Sequence, residues 1–332
     1  MKLGSLKEGG RDGTLIVVSR DLAKAVKATG IAATMQRALE EWESTAPRLN
    51  ALYEVLNASA TETINGEPVF AVDFAALAAP LPRAYEFVDG SAYLPHVARV
   101  RKARGAEVPE SFYVDPLMYQ GVSAGFYGPH DPVRVADEAC GIDLEAEVIV
   151  VTDDVPTAVT PKQAAGHIQL IGLINDVSLR NLIPAELAKG FGFLQSKPRS
   201  ALSPVLVTPD ELGEAWQDCK VHLPLLTHIN GAWFGAPEAG VDMQFNFAQL
   251  VAHAAKTRPL SAGTIVGSGT VANEDTSLGA SCFAEQRAVE TLRDGKPSTP
   301  FMKYGDTVRI EMLDRAGNSI FGAIEQRMSP PL

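Results

Sequence analysis

Residues 141–151, GIDLEAEVIVV, constrain this chain more than any other segment. Three carboxylates, Asp143, Glu145 and Glu147, stand on alternate positions, and the same phase continues as Ile149 and Val151. In a strand, residues two apart share a face, so the carboxylates lie on a face that runs into a core. Like charges so close raise one another's pKa, and burying each costs roughly several kcal/mol unless a cation offsets it. A hard divalent ion with oxygen ligands meets that demand. An acidic strand end that emerges into water is the other reading of the same residues.

The apolar part of this segment, 147–152, has a counterpart in IQLIGLIND, 168–176. Both are β-branched runs of strand length, so both of their faces are expected to be buried. Around them the signals are mixed. Residues 1–20 read as a small hairpin turning at Arg11-Asp12-Gly13. Residues 31–57 carry a helical period in Met35, Leu39, Trp42, Leu49, Tyr53 and Leu56, with Pro47 expected to kink or divide the helix pair. Pro80 and Pro82 favour extended chain and mark a boundary. The division expected is a small N-terminal α+β domain, 1–80, and a β-rich catalytic domain, 81–332. Within the latter, Thr160-Pro161 and Thr208-Pro209 each open a short helix. Asn230-Gly231 and Asp314–Gly317 read as hairpin turns. The fold class is α+β with a β-dominated core.

A chain of 332 residues suggests two domains and needs no disulfide or metal merely to fold. The net charge of −11, with no Lys/Arg stripe, argues against a nucleic-acid or anionic-membrane partner. Cys140, Cys219 and Cys282 lack zinc or redox spacing and read as reduced thiols. With no apolar leader and no membrane-spanning run, a cytoplasmic location is expected.

Other chemistry-bearing residues are weaker alone. Asp176 closes the second apolar run, and Asp89 sits in a glycine-containing turn, FVDGSAYLPH, seven residues before His96. GVSAG, 121–125, fits a serine-hydrolase pattern, but the FYGPHDP that follows cannot begin the helix such a motif requires. The GSG within GTIVGSGT, 263–270, lacks dinucleotide-binding spacing.

Taken in order, these residues resemble the fumarylacetoacetate hydrolase family, bacterial type, from about residue 80 onward and more weakly before it. The carriers are Asp89 with His96, Glu145 with Glu147, the segment Asn175, Asp176, Ser178 and Arg180, and Ser268-Gly269-Thr270. The resemblance implies a mixed β-sandwich roll as the catalytic fold. It implies that Asp89, Glu145, Glu147 and Asp176 hold a divalent ion, Mg2+ first, with Mn2+ and Ca2+ as alternatives. His96 becomes a general base oriented by Glu285; Tyr119, Thr270 and Arg180 become substrate-side residues. The family arginine after the histidine falls on Arg101 or Arg104, of which Arg104 is taken. The family's oxyanion lysine falls on Lys197, one position late, with Ser196 in strict register. A family glutamine and tyrosine fall on Ile183 and Leu187.

The implied activity is hydrolytic carbon–carbon cleavage of a 1,3-diketo acid, with fumarylacetoacetate, cleaved to fumarate and acetoacetate, as leading substrate. Metal-dependent decarboxylation, isomerisation or hydration of a 2-oxo acid is the alternative, followed by a non-catalytic binding protein. A small-molecule substrate and a homodimer complete the expectation.

Overall fold

The computed structural model describes residues 1–58 and 61–332. Its centre is an eleven-stranded sheet in which Ala146–Thr152 lies between Ile168–Asn175 and Ile265–Gly267. Phe87–Gly90 runs parallel to Ile265–Gly267, and Met118–Gln120 pairs antiparallel beyond it. On the other side the sheet continues through Leu206–Val207 into Lys2–Leu6, Thr14–Val18 and Lys24–Lys27. The N-terminal hairpin is therefore laid edge to edge against the central strands, through Lys2↔Val207 and Leu3↔Leu206.

Both faces of the central strands are buried, as their composition predicts. Val148 and Val150 join one apolar cluster with Val88, Ile171, Leu173 and Val266. That cluster also takes Val308, Ile310, Ile324 and Met328 from a five-stranded sheet, which closes a sandwich. Ile149 and Val151 join the other cluster, with Phe87, Leu170, Ile174 and Ile265. Leu49, Leu52, Tyr53 and Leu56 of helix Trp42–Ala58 cover it. Each fully buried Val, Ile or Leu contributes about 1.5–3 kcal/mol, so this two-sided burial dominates the fold's stability.

Local punctuation agrees in most places. Thr160 and Gln163 form a capping box on Pro161–Ala164. Asn230 and Gly231, with φ of 51° and 78°, turn the hairpin Leu226–Ile229 to Ala232–Gly235. Two expectations are corrected. The helix pair divides at Glu41, between Met35–Glu40 and Trp42–Ala58, while Pro47 lies inside the second helix. The Thr45 hydroxyl, donating to Ala38 O at 2.7 Å, stitches that break. The helix after Thr208 is a tight three-ten segment, Pro209–Ala215, kinked at Gly213. Thr208 does not cap it, because its hydroxyl accepts from the terminal amine of Met1 at 2.5 Å. Among the described residues no helix is long and apolar enough to cross a membrane.

The core's tolerance can be tested at Gly172, which lies opposite Ile149 in the central ladder. A Cβ there would meet Leu206 Cδ2 at 2.4 Å and Ser203 Oγ at 3.2 Å. Gly172→Val should cost about 1–3 kcal/mol, as overpacking does. Urea unfolding would show it as a lower midpoint, and an unchanged midpoint would contradict the packing described.

Candidate metal centre and active site

Sheet register brings the acidic residues together. Asp89 stands opposite Gly267 on one neighbour and Tyr119 on the other. Gly267 in turn faces Ile149, two residues beyond Glu147 on the next strand. The missing side chain at Gly267 is what makes room: a Cβ would fall 2.2 Å from Asp89 Oδ1 and 3.1 Å from Glu147 Oε2. A glycine inside a strand often marks such a close approach. The GSG that fails as a nucleotide motif is thus the floor of the acidic centre. Gly269 N donates to Asp89 Oδ1 at 3.1 Å, and the φ of +76° at Gly269 suits its position against Gly90 O. Glu145 and Asp176 arrive on adjoining chain, where Asp176 N donates to Glu145 O at 2.9 Å. One oxygen from each of Asp89, Glu145, Glu147 and Asp176 lies within 4.8 Å of all the others, and all four residues are buried.

Their partners are unequal. Asp176 accepts from Lys197 Nζ and Ser200 Oγ, both at 2.6 Å, and from the Tyr119 hydroxyl. Glu145 accepts from Lys197 Nζ at 2.9 Å and from Arg180. Glu147 has no hydrogen-bond partner for either oxygen among the described residues. Burial, then the charge of Asp176, pushes the Asp89 carboxyl up to about 8. Burial, then Asp89 and Asp176, raises Glu147 well above the carboxylate range. Burial would raise Glu145 too, but the Lys197 ammonium and Arg180 guanidinium outweigh it and hold that group low. Lys197 is buried as well, yet Asp176 and Glu145 keep its ammonium charged far into the alkaline range. Four converging carboxylates with one ammonium among them, and one carboxylate that accepts from no N–H or hydroxyl of the described residues, fit a hard divalent cation.

The sequence places Asp143, Glu145 and Glu147 on one face of one strand, and the structure corrects this. Ile142–Asp143 pairs with Ser178–Leu179, and the regular strand restarts only at Ala146. Asp143 consequently turns to the N-terminus of helix Phe283–Asp294, accepting from Phe283 N at 2.7 Å and Ala284 N at 2.9 Å. It also accepts from Arg180 Nε at 2.7 Å, so Arg180 bridges Asp143 to Glu145 within the protein. The same helix carries Glu285, whose Oε2 meets His96 Nδ1 at 2.7 Å. Its Oε1 accepts from Arg99 at 2.6 Å. Arg99 is a residue that the sequence reading misses, although its i+3 spacing from His96 on helix Leu94–Ala103 is the available signal.

Other expected residues are placed as follows. Lys197, and not Ser196, enters the acidic centre, since Ser196 is tied through its N–H and hydroxyl to Glu186. Tyr119 lies against Lys197, with Nζ 5.1 Å from the ring centroid. Thr270 is buried directly after Gly269. Arg104 is not brought to the centre; it is exposed at the cap of helix Leu94–Ala103. Arg101 donates to Glu107 O at 2.6 Å, on the same outer side.

The raised carboxyls give a signed pH dependence. In the unfolded chain Asp89 and Glu147 lose their protons at the ordinary carboxylate pKa of about 4. In the folded, metal-free protein they hold them longer, to about 8 for Asp89. The folded state therefore binds more protons across that window, and its stability falls as pH rises through it. Thermal unfolding of chelated protein should show Tm decreasing between pH 5 and pH 8, with Glu147→Gln flattening the decline. Added Mn2+ should raise Tm more at pH 8 than at pH 5. A flat Tm in the chelated parent would contradict this electrostatic account.

Comparison with known proteins agrees with this architecture. Residues 86–329 match the family described as fumarylacetoacetate hydrolase C-terminal, and residues 1–83 match fumarylacetoacetase N-terminal domain 2. A 2,4-didehydro-3-deoxy-L-rhamnonate hydrolase of Sphingomonas sp. (strain SKA58) is 29% identical over 159 residues, 47% of this chain and 53% of the relative. The mitochondrial oxaloacetate tautomerase of Xenopus laevis is 26% identical over 210 residues, 61% of this chain and 56% of the relative. The matched stretches thus span little more than half the length of these two relatives. Maleylpyruvate hydrolase from Sphingobium sp. SYK-6, solved with manganese(II) and pyruvate, shares the fold at a TM-score of 0.65 and 14% identity over the whole of both chains. With well over half of its length matched by one family description, the chain belongs to the fumarylacetoacetate hydrolase family.

Proposed function

We propose that this protein is a metal-dependent hydrolase that cleaves a carbon–carbon bond of a 1,3-diketo acid. The observation that carries the reading is the His96–Glu285 pair, at 2.7 Å, with Glu285 on a helix whose N-terminus is held by Asp143, which shares Arg180 with Glu145 of the four-carboxylate centre. Asp89, Glu145, Glu147 and Asp176 would hold the ion, Mg2+ first, with Mn2+ and Ca2+ also suited to oxygen ligands. When bound, the ion supplies Lewis acidity and a template for the substrate's dicarbonyl oxygens.

The chain's own residues account for the proton movements. His96 donates its Nδ1 proton to Glu285, which leaves Nε2 as the basic atom. Nε2 takes a proton from water as the oxygen adds to one carbonyl, and the charged imidazole returns it to the departing carbon. Arg99 holds the second oxygen of Glu285 and so fixes the carboxylate's orientation. Lys197 presents a buried ammonium to the developing oxyanion, usually the largest catalytic contribution. Tyr119 and Thr270 serve as substrate-side groups, Arg180 fixes Glu145, and Arg104 stands apart from this set.

Fumarylacetoacetate is the first member of the substrate class to test, in the setting of a cytoplasmic homodimer in aromatic amino-acid breakdown. Tautomerisation or decarboxylation of a 2-oxo acid is the second reading, supported by the tautomerase relative. It needs proton transfer but no attack by water, so detection of two acid products separates the readings.

Chelation should abolish turnover of diketo acids, and Mg2+ or Mn2+ should restore it. His96→Asn should lower kcat by roughly 10²–10⁴-fold and remove the acidic limb of the kcat/KM profile, with metal content unchanged. Lys197→Met should cost roughly 10²–10³-fold in kcat. Turnover that survives exhaustive chelation, or a His96→Asn enzyme with the parent's rate and pH profile, would overturn the hydrolase reading.

A further inference from the structure

A short apolar segment adjoins the acidic centre. Helix Ile183–Leu187 is followed by Ala188, Lys189, Gly190, Phe191, Gly192, Phe193 and Leu194. Phe191 is 99% exposed, Leu194 79% and Leu187 48%. Large apolar side chains clustered in water mark a place where something binds. The base of the segment is nevertheless firmly held: Glu186 accepts from Leu194 N at 3.1 Å, Gln195 N at 2.7 Å, Ser196 N at 3.1 Å and Ser196 Oγ at 2.5 Å. Gly190 and Gly192 flank Phe191 at φ +77° and +88°, each with open space where a Cβ would stand. The next ring points inward: Phe193 meets Tyr119 edge-on at 4.9 Å, and the Tyr119 hydroxyl donates to Asp176. The segment is thus anchored at its base, carries an exposed ring between two left-handed glycines at its tip, and packs through Phe193 and Tyr119 on the wall of the acidic centre.

We propose that residues 187–194 form an apolar flap that closes over the substrate's tail, so that the preferred substrates are 2-oxo acids bearing an alkyl or aryl tail. The inference rests on the reading above for the head of the substrate, and departs from fumarylacetoacetate at the other end. A carboxylate pressed against Phe191 and Leu194 would lose its hydration. Lys189 is the one charged side chain in the segment and the group a charged tail would use; Leu187, Phe191 and Leu194 outnumber it.

The test uses two inert oxamates with the same head, N-butyloxamate and N-oxalylglycine, titrated calorimetrically into the Mn2+-loaded protein. The butyl compound should bind at least about tenfold more tightly, the scale expected for burying one small alkyl group. In the Phe191→Ala/Leu194→Ala double variant, whose changes fall on exposed side chains, that ratio should fall toward one. Equal affinities in the parent, or a ratio untouched by the double variant, would overturn the flap. So would a changed sedimentation coefficient of the ligand-free double variant with the ratio intact, which would mark an interface between copies. Acetylpyruvate turnover, assayed separately, tests the hydrolase reading. Its absence with the affinity ratio preserved would remove hydrolysis and leave the flap standing.

Discussion

Glu147 places an entire carboxylate in the protein interior without a hydrogen-bond partner among the described residues. An isolated ion there would be costly enough to shift its own protonation, which is the direction in which its pKa moves. Much of the surrounding architecture reduces that cost for the neighbours and leaves it for Glu147. Lys197 neutralises Glu145 and Asp176, and Arg180 is divided between Glu145 and Asp143. What remains is a buried cluster of carboxyl oxygens, given room by the glycine at position 267, that could hold a small divalent cation. Replacing such a centre by apolar side chains would generally favour stability, so its presence speaks for chemistry.

The large sheet is what makes this arrangement rigid. Asp89, Glu147 and the glycine between them sit on three neighbouring strands whose registers are set by two buried apolar faces. A slip of one residue in either outer strand would turn Asp89 or Glu147 to the opposite face. The His96–Glu285 pair is held differently, by two helices, one of which has its N-terminus bound to Asp143. Asp143 thereby links the helix that carries Glu285 to Arg180 and, through it, to the four-carboxylate centre.

The sequence exposes the local half of this design. Two-sided burial of 147–152 and 168–176 follows from runs of β-branched residues, and the alternation of Glu145 with Glu147 signals their common destination. Asp143 is misjudged because alternation presumes an unbroken strand, and the chain breaks between Asp143 and Ala146. Asp89 and Asp176, read alone, are turn residues; family resemblance singles them out, since strand order is a long-range property that no local pattern carries. Gly267 and Arg99 are missed for related reasons: the first shows its meaning only beside Asp89 and Glu147, the second only once Glu285 is on the facing helix. That Lys197 and not Ser196 enters the acidic centre follows from Glu186, ten residues upstream of the serine it holds.

The central claim is that these four carboxylates hold one divalent ion, and proton counting tests it most directly. Mn2+ would be titrated into chelator-treated protein at pH 7, in two buffers of different ionisation enthalpy, to give both stoichiometry and protons released. The account predicts one ion per chain with net proton release, because Asp89 and Glu147 carry protons that the ion must displace. Binding without proton release, or no binding, would contradict it.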